Sequence, residues 1–276
     1  MNIDRQTAMR ILTAADMAAA VYEPFESAGF QAWSQPFEHV ETWKHGNAEG
    51  MGIISKGTAY IVFRGTEPGQ MKDWMTDLTA RPSPFPRFGN NAFVHLGFEA
   101  YTLCLEDEFL AFANKYRKNR RLVICGHSLG GSAAYVCASQ LGGSVGRCEV
   151  ITFGAAPTGN REFVKEFNHL YGEQTFRFEH GIDIVPVLPD LLPWLSHVSR
   201  RLYLPICKST VWDNPSQWKY RADRLLGWGS ALASIGSKLT PWNATLALLK
   251  SGGGDHGMGR YVEHLNKALA MPWSGL

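Results

Sequence analysis

Ser128 stands at the centre of Gly126-His127-Ser128-Leu129-Gly130, directly after the apolar run Leu122-Val123-Ile124-Cys125 and before the small-residue stretch Gly131 to Ala138. That order reads as strand, sharp turn and helix, with a serine at the apex. A turn of this kind strains the serine backbone and lifts its Oγ clear of the sheet, where it can attack an electrophilic carbon. The flanking glycines have a steric reason. A Cβ at position 126 or 130 would crowd the strand and helix as they approach each other.

A serine hydroxyl is a weak nucleophile until a base accepts its proton, and the base needs an acid to fix its tautomer. On a strand–elbow–helix the acid and base follow the serine in chain order, from loops at the carboxyl ends of later strands. Asp183 meets this requirement for the acid. It lies just after the strand-like run Thr175 to Phe178, in Gly181-Ile182-Asp183-Ile184-Val185-Pro186, with apolar neighbours on both sides. Asp190 is its rival, placed between prolines further from the strand end. Among nine histidines, His256 is the choice for the base, because it follows Gly252-Gly253-Gly254-Asp255 and precedes the last helical pattern. His197 and His264 read as structural, and the turn is expected to point His127 away from Ser128.

A tetrahedral intermediate needs donors aimed at its oxyanion. The N–H of Leu129, the residue after the nucleophile, supplies one. Arg64-Gly65-Thr66 closes the apolar run Ala59 to Phe63 and offers Thr66 for the second, through its N–H and hydroxyl.

The positioning elements follow from periodicity. Met1 to Tyr22 reads as an amphipathic helix and Phe37 to Trp43 as a strand. Met51–Ser55 and Ala59–Arg64 flank Lys56-Gly57-Thr58 as a hairpin. Phe98, Tyr101, Leu105, Phe109, Phe112 and Tyr116 are spaced 3, 4, 4, 3 and 4 apart and predict one helix with a single buried face. Strand 121–125 and helix 129–141 surround the elbow. Strand 149–153, a helix opened by Asn160, strands 175–178 and 201–204, and a closing helix through Met258, Tyr261, Val262, Leu265 and Leu269 complete the order. Strands alternating with helices imply a mainly parallel central sheet with helices on both faces, here the α/β-hydrolase fold as a single domain over residues 1–276.

Several blocks together carry a family resemblance. Val62-Phe63-Arg64-Gly65-Thr66, Asp73-Trp74-Met75-Thr76-Asp77-Leu78, Val94-His95-Leu96-Gly97-Phe98, the elbow with Gly131, Thr152-Phe153-Gly154-Ala155-Ala156-Pro157 with Gly159-Asn160, Asp183-Ile184-Val185-Pro186 with Leu188-Pro189, and Asp255-His256 all occur in family order. The chain resembles the class 3 (fungal-type) lipase family. The resemblance implies Ser128, Asp183 and His256 as catalytic triad and Thr66 with Leu129 as oxyanion hole. It also implies a lid at 67–78 that carries Trp74; Arg64 and Asp77 read either as a pair across it or as two solvated charges. The stretch 206–251 matches no family block and reads as an insertion of short helices and turns. Its Trp212, Trp218, Trp228 and Trp242 lie among basic residues, which suits either peripheral contact with lipid surfaces or a satellite core.

Composition narrows the function. A net charge of +2, with no basic run, gives no footprint for nucleic acid. No H-E-x-x-H or other ligand cluster appears, so neither a metal nor a cofactor is expected. No uninterrupted apolar stretch reaches bilayer length, so no transmembrane span is expected. Five scattered cysteines without C-x-x-C spacing read as buried free thiols. With no signal-peptide pattern at the start, the expectation is a cytoplasmic protein or one exported without a cleaved signal. The expected activity is a serine carboxylic-ester hydrolase acting on lipids, first on triacylglycerol or other acylglycerols. A phospholipase A1 or short-chain carboxylesterase is the alternative, and a non-catalytic lipid-binding module the remote one.

Overall fold

Strands and helices alternate along most of the chain, and most of the described strands share one sheet. The computed structural model describes residues 3–66, 81–142, 148–181, 183, 185–186, 194–199, 201–204, 212–213 and 256–269. In chain order the elements are α1 (Arg5–Ala20), α2 (Ala28–Ser34), β1 (His39–His45), β2 (Ala48–Ser55), β3 (Thr58–Phe63), β4 (Pro82–Pro84), β5 (Phe93–His95), α3 (Leu96–Leu103) and α4 (Glu106–Tyr116). There follow β6 (Arg121–His127), α5 (Leu129–Leu141), β7 (Cys148–Phe153), α6 (Arg161–Tyr171), β8 (Thr175–His180), β9 (Arg201–Leu204), β10 (Trp212–Asp213) and α7 (Met258–Leu269).

Among the described residues the main sheet has eight strands in the order β1-β2-β3-β6-β7-β8-β9-β10. Its first three strands form an antiparallel meander. From β3 through β9 every pairing is parallel, and β10 returns antiparallel on β9. A separate two-stranded sheet pairs β4 with β5.

Alternation along the central strands builds the layers. Ala59, Ile61, Phe63, Leu122, Ile124 and Val150 point to one face, where α3 to α6 supply the covering side chains. Tyr60, Val62, Val123, Cys125, Ile151 and Phe153 point to the other, covered by α1, α2 and α7. Successive side chains on a strand face opposite ways, so strands apolar at nearly every position must be buried on both sides. This is the α/β-hydrolase architecture. Cys125, Cys137 and Cys148 are buried free thiols, and Cys104 is an exposed one.

One helix departs from expectation. The pattern from Phe98 to Tyr116 is split in two, with Leu105 at φ −114°, ψ 20° capping the second helix. Two local causes act at the break. Thr102 Oγ1 donates to the Phe98 carbonyl at 2.7 Å and competes with the backbone ladder. Glu106, Asp107 and Glu108 then fill the first turn of α4, where negative charge favours a helix N-terminus. Leu105 stays fully buried, so the apolar face survives the break. The expected lid at 67–78 lies outside the described residues. So does 206–251 apart from Trp212–Asp213, which form a strand rather than a turn or helix.

Candidate active site

The elbow joins β6 to α5 and brings Ser128 to the carboxyl end of the parallel sheet. Ser128 adopts φ 56°, ψ −125°, a left-handed φ that a non-glycine residue holds at a cost of about 1–3 kcal/mol. Its N–H donates to the Phe153 carbonyl on the neighbouring strand at 3.0 Å, and its own carbonyl accepts from Gly131 and Ser132 at 3.0 and 3.2 Å. Neither flanking glycine has room for a side chain. A Cβ at 126 would lie 2.3 Å from the Gly130 oxygen, and one at 130 would lie 2.2 Å from the Phe63 oxygen.

Asp183 leaves the end of β8 on a short turn, its N–H donating to the His180 carbonyl at 2.9 Å. Its carboxylate has no solvent exposure. Burying a charge is costly unless donors surround it, and here they do. The Val185 N–H donates to Oδ1 at 2.9 Å, and the Tyr261 hydroxyl donates to Oδ2 at 2.6 Å. His256, two residues before α7, brings Nδ1 to 2.9 Å from Oδ1 and 2.8 Å from Oδ2. With the Nδ1 hydrogen directed at the carboxylate, Nε2 is left with a lone pair.

Ser128 Oγ and His256 Nε2 are both buried and lack a hydrogen-bond partner among the described residues. Buried polar atoms are almost always paired, and an orphan asks for an explanation such as a chemical role. Gly154, with φ +57°, lies against the pair. A Cβ there would stand 2.6 Å from Asp183 Oδ2 and 3.0 Å from His256 Nδ1.

Of the other expected site residues, Leu129 is buried at the first position of α5, among the amides that lack an intrahelical acceptor. Thr66 is half-buried just beyond β3, whose last carbonyl packs on the elbow. Arg64 is ion-paired with Glu49 at 2.6 Å, and its carbonyl accepts from the Tyr101 hydroxyl at 2.7 Å. Trp74, Asp77 and the rival acid Asp190 lie outside the described residues, and with them the alternative of an Arg64–Asp77 pairing. His197 donates from Nε2 to the Pro186 carbonyl at 2.6 Å, and His264 packs edge-on to His180.

Three features escape the sequence reading. Tyr261 counted only as an apolar position of the closing helix, yet a fully buried tyrosine hydroxyl needs a partner, and that was the available signal. Its hydroxyl also accepts from the His180 N–H at 3.1 Å. Behind the acid loop, buried Glu179 pairs with Arg177 and, at 2.9 Å, with Arg201. Burial drives the Glu179 carboxyl upward, but Arg177 and Arg201 outweigh it and hold the group at about 2. Third, His127 turns away from Ser128 as expected, but its partners, Tyr22 and the backbone of His256, were not foreseen. No local pattern marks Tyr22.

The chain is similar in sequence and in fold to known lipases. Residues 60–192 match the family described as Lipase (class 3). A lipase of Caenorhabditis elegans is 32% identical over 146 residues, covering 50% of this chain and 39% of that protein. The toxin TseL of Vibrio cholerae is 28% identical over 173 residues, covering 60% of this chain and 25% of its own length. The chain therefore spans well under half the length of these curated relatives. The structure of the Rhizomucor miehei triacylglyceride lipase superposes with a TM-score of 0.66 at 20% identity, over 92% of this chain and 97% of that one.

Proposed function

We propose, from the match of residues 60–192 to the class 3 lipase family, that the chain is a serine carboxylic-ester hydrolase acting on lipids, with Ser128, His256 and Asp183 as nucleophile, base and acid. One observation carries the reading. A nucleophile-type serine with strained φ and a histidine already oriented by a buried carboxylate leave Oγ and Nε2 both buried and without a partner among the described residues.

In this mechanism His256 Nε2 accepts the Ser128 proton as Oγ bonds to the ester carbonyl carbon. Asp183 holds the Nδ1 hydrogen and stabilises the imidazolium. The N–H of Leu129, with Thr66 as second donor, takes the oxyanion. Nε2 then returns the proton to the departing alcohol, leaving an acyl-serine. Water, deprotonated by the same nitrogen, cleaves it and restores the hydroxyl. No metal or cofactor has a part in these steps.

Acylglycerol is the substrate class we assign, supported by the family description and by the lipase of Caenorhabditis elegans. The test is covalent labelling by a fluorophosphonate, located by mass spectrometry, together with hydrolysis of a p-nitrophenyl ester series, triolein emulsion and phosphatidylcholine vesicles. Labelling at Ser128 and preferential triolein hydrolysis are expected. Faster release from phosphatidylcholine would reassign the substrate to that of a phospholipase A1, and turnover confined to short esters to that of a carboxylesterase. A folded protein that neither labels nor turns over would leave only lipid binding.

A further inference from the structure

His127 adjoins the nucleophile but does not face it. Its Nε2 lies 2.5 Å from the backbone carbonyl of His256. A carbonyl has no proton to give, so Nε2 carries the hydrogen. Nδ1 is then an acceptor, and the Tyr22 hydroxyl 2.8 Å away donates to it. The ring also lies against the base, with centroids 4.4 Å apart and planes inclined by 34°. Burial, then the nearby His256, push the His127 imidazole well below its ordinary pKa, which keeps the ring neutral. Neutrality suits the position, because a charged ring here would repel His256 as it takes up a proton.

The seat of Tyr22 depends on the residue opposite. A Cβ at Gly65 would lie 2.2 Å from the Tyr22 hydroxyl and 2.5 Å from the His127 carbonyl oxygen. Arg64 places its guanidinium carbon 5.5 Å from the Tyr22 ring centroid. The end of α1, the chain after β3, the elbow and the segment bearing the base thus meet at one imidazole. Gly252-Gly253-Gly254 precede that segment in sequence, and glycine restricts its own backbone little. A fixed point for the His256 backbone has to come from tertiary contacts.

We infer that His127 is a positioning residue: as the Nε2–H tautomer, with Tyr22 donating to Nδ1, it clamps the backbone of His256 to the elbow and so sets where the base stands relative to Ser128. The inference rests on the reading of Ser128 and His256 as a reacting pair.

Two measurements on the full chain test it. In ring-15N histidine NMR, His127 is expected to keep a protonated Nε2 and a bare Nδ1 between about pH 6 and 8, and Tyr22→Phe, which removes the donor to Nδ1 but leaves the His256 carbonyl, to shift the Nδ1 resonance while the hydrogen stays on Nε2. Fluorophosphonate labelling of Ser128 gives the second readout. His127→Leu, which loses the donor, should slow labelling roughly 10- to 100-fold, in line with the cost of a small misplacement. His127→Gln, whose amide reaches the place of Nε2, should recover most of the rate at a similar melting temperature. Should the leucine variant not fold, the glutamine variant and Tyr22→Phe carry the comparison. An Nδ1–H tautomer in the wild type, or wild-type labelling by His127→Leu, overturns the clamp. A wild type that never labels overturns the functional reading instead, while the NMR result still decides the tautomer.

Discussion

Tyr261→Phe removes one oxygen atom from the centre of the proposed acid site and should be felt in both stability and turnover. Burial, then the Asp183 charge, push the tyrosine pKa far above its ordinary value, so the hydroxyl remains a donor wherever the protein is folded. Its bond to Asp183 Oδ2 is 2.6 Å long, and the same oxygen accepts the His180 N–H at 3.1 Å. A hydrogen bond to a buried charge contributes about 1.5–3 kcal/mol, and stranding the His180 N–H adds about 1 kcal/mol. A loss of about 2.5–4 kcal/mol lowers Tm by roughly 5–16 °C in a domain near this size. Turnover should fall less than on loss of the acid itself, because Asp183 keeps the Val185 N–H and His256. We expect kcat on a soluble short-chain ester to fall roughly 5- to 50-fold, against the roughly 10⁴-fold cost of an acid-to-amide change. Added to Asp183→Asn, the tyrosine change should cost little further kcat, since residues that act as one unit do not add. Scanning calorimetry and steady-state kinetics on the two single variants and the double variant decide it. A Tyr261→Phe protein with wild-type Tm and kcat would refute the reasoning, and so would full additivity in kcat.

Gly154→Ala should all but abolish ester hydrolysis, because a Cβ would stand 2.6 Å from Asp183 Oδ2 on a backbone with φ +57°; near-normal kcat would mean that the acid site can shift at no cost. Thr66→Val should lower kcat roughly 10- to 1000-fold with KM little changed, as befits a donor that acts in the transition state, and an unaltered kcat would move the second oxyanion donor elsewhere. Glu179→Gln should cost about 3–5 kcal/mol at neutral pH by leaving buried arginine charge uncompensated, read by urea unfolding. Because the Glu179 carboxyl is held down at about 2 in the folded state, its contribution is full above the unfolded value and disappears as pH falls toward 2. The wild type should therefore lose stability more steeply than the variant across that acid range, and parallel curves would contradict the pairing.

Short-range pattern carried a large share of this molecule. The apolar run before Ser128 and the glycines around it specify a strand and an elbow wherever the rest of the chain lies, because both are decided within a few residues. Alternating apolar strands and helices demanded a sheet covered on both faces, and the order of serine, aspartate and histidine nominated Ser128, Asp183 and His256. Other features depended on partners far apart in the chain. Nothing near Tyr261 or Tyr22 announces a hydroxyl directed at Asp183 or at His127, and the Arg177–Glu179–Arg201 cluster straddles two strands joined only in the sheet. The break at Leu105 was local, yet a helical period that continued across it concealed the acidic first turn of α4. Periodicity records which face of an element is buried. It does not record which buried polar atom meets which, because one hydrogen bond between distant residues leaves no repeating mark along the chain, and only the packed fold brings donor and acceptor within 3 Å.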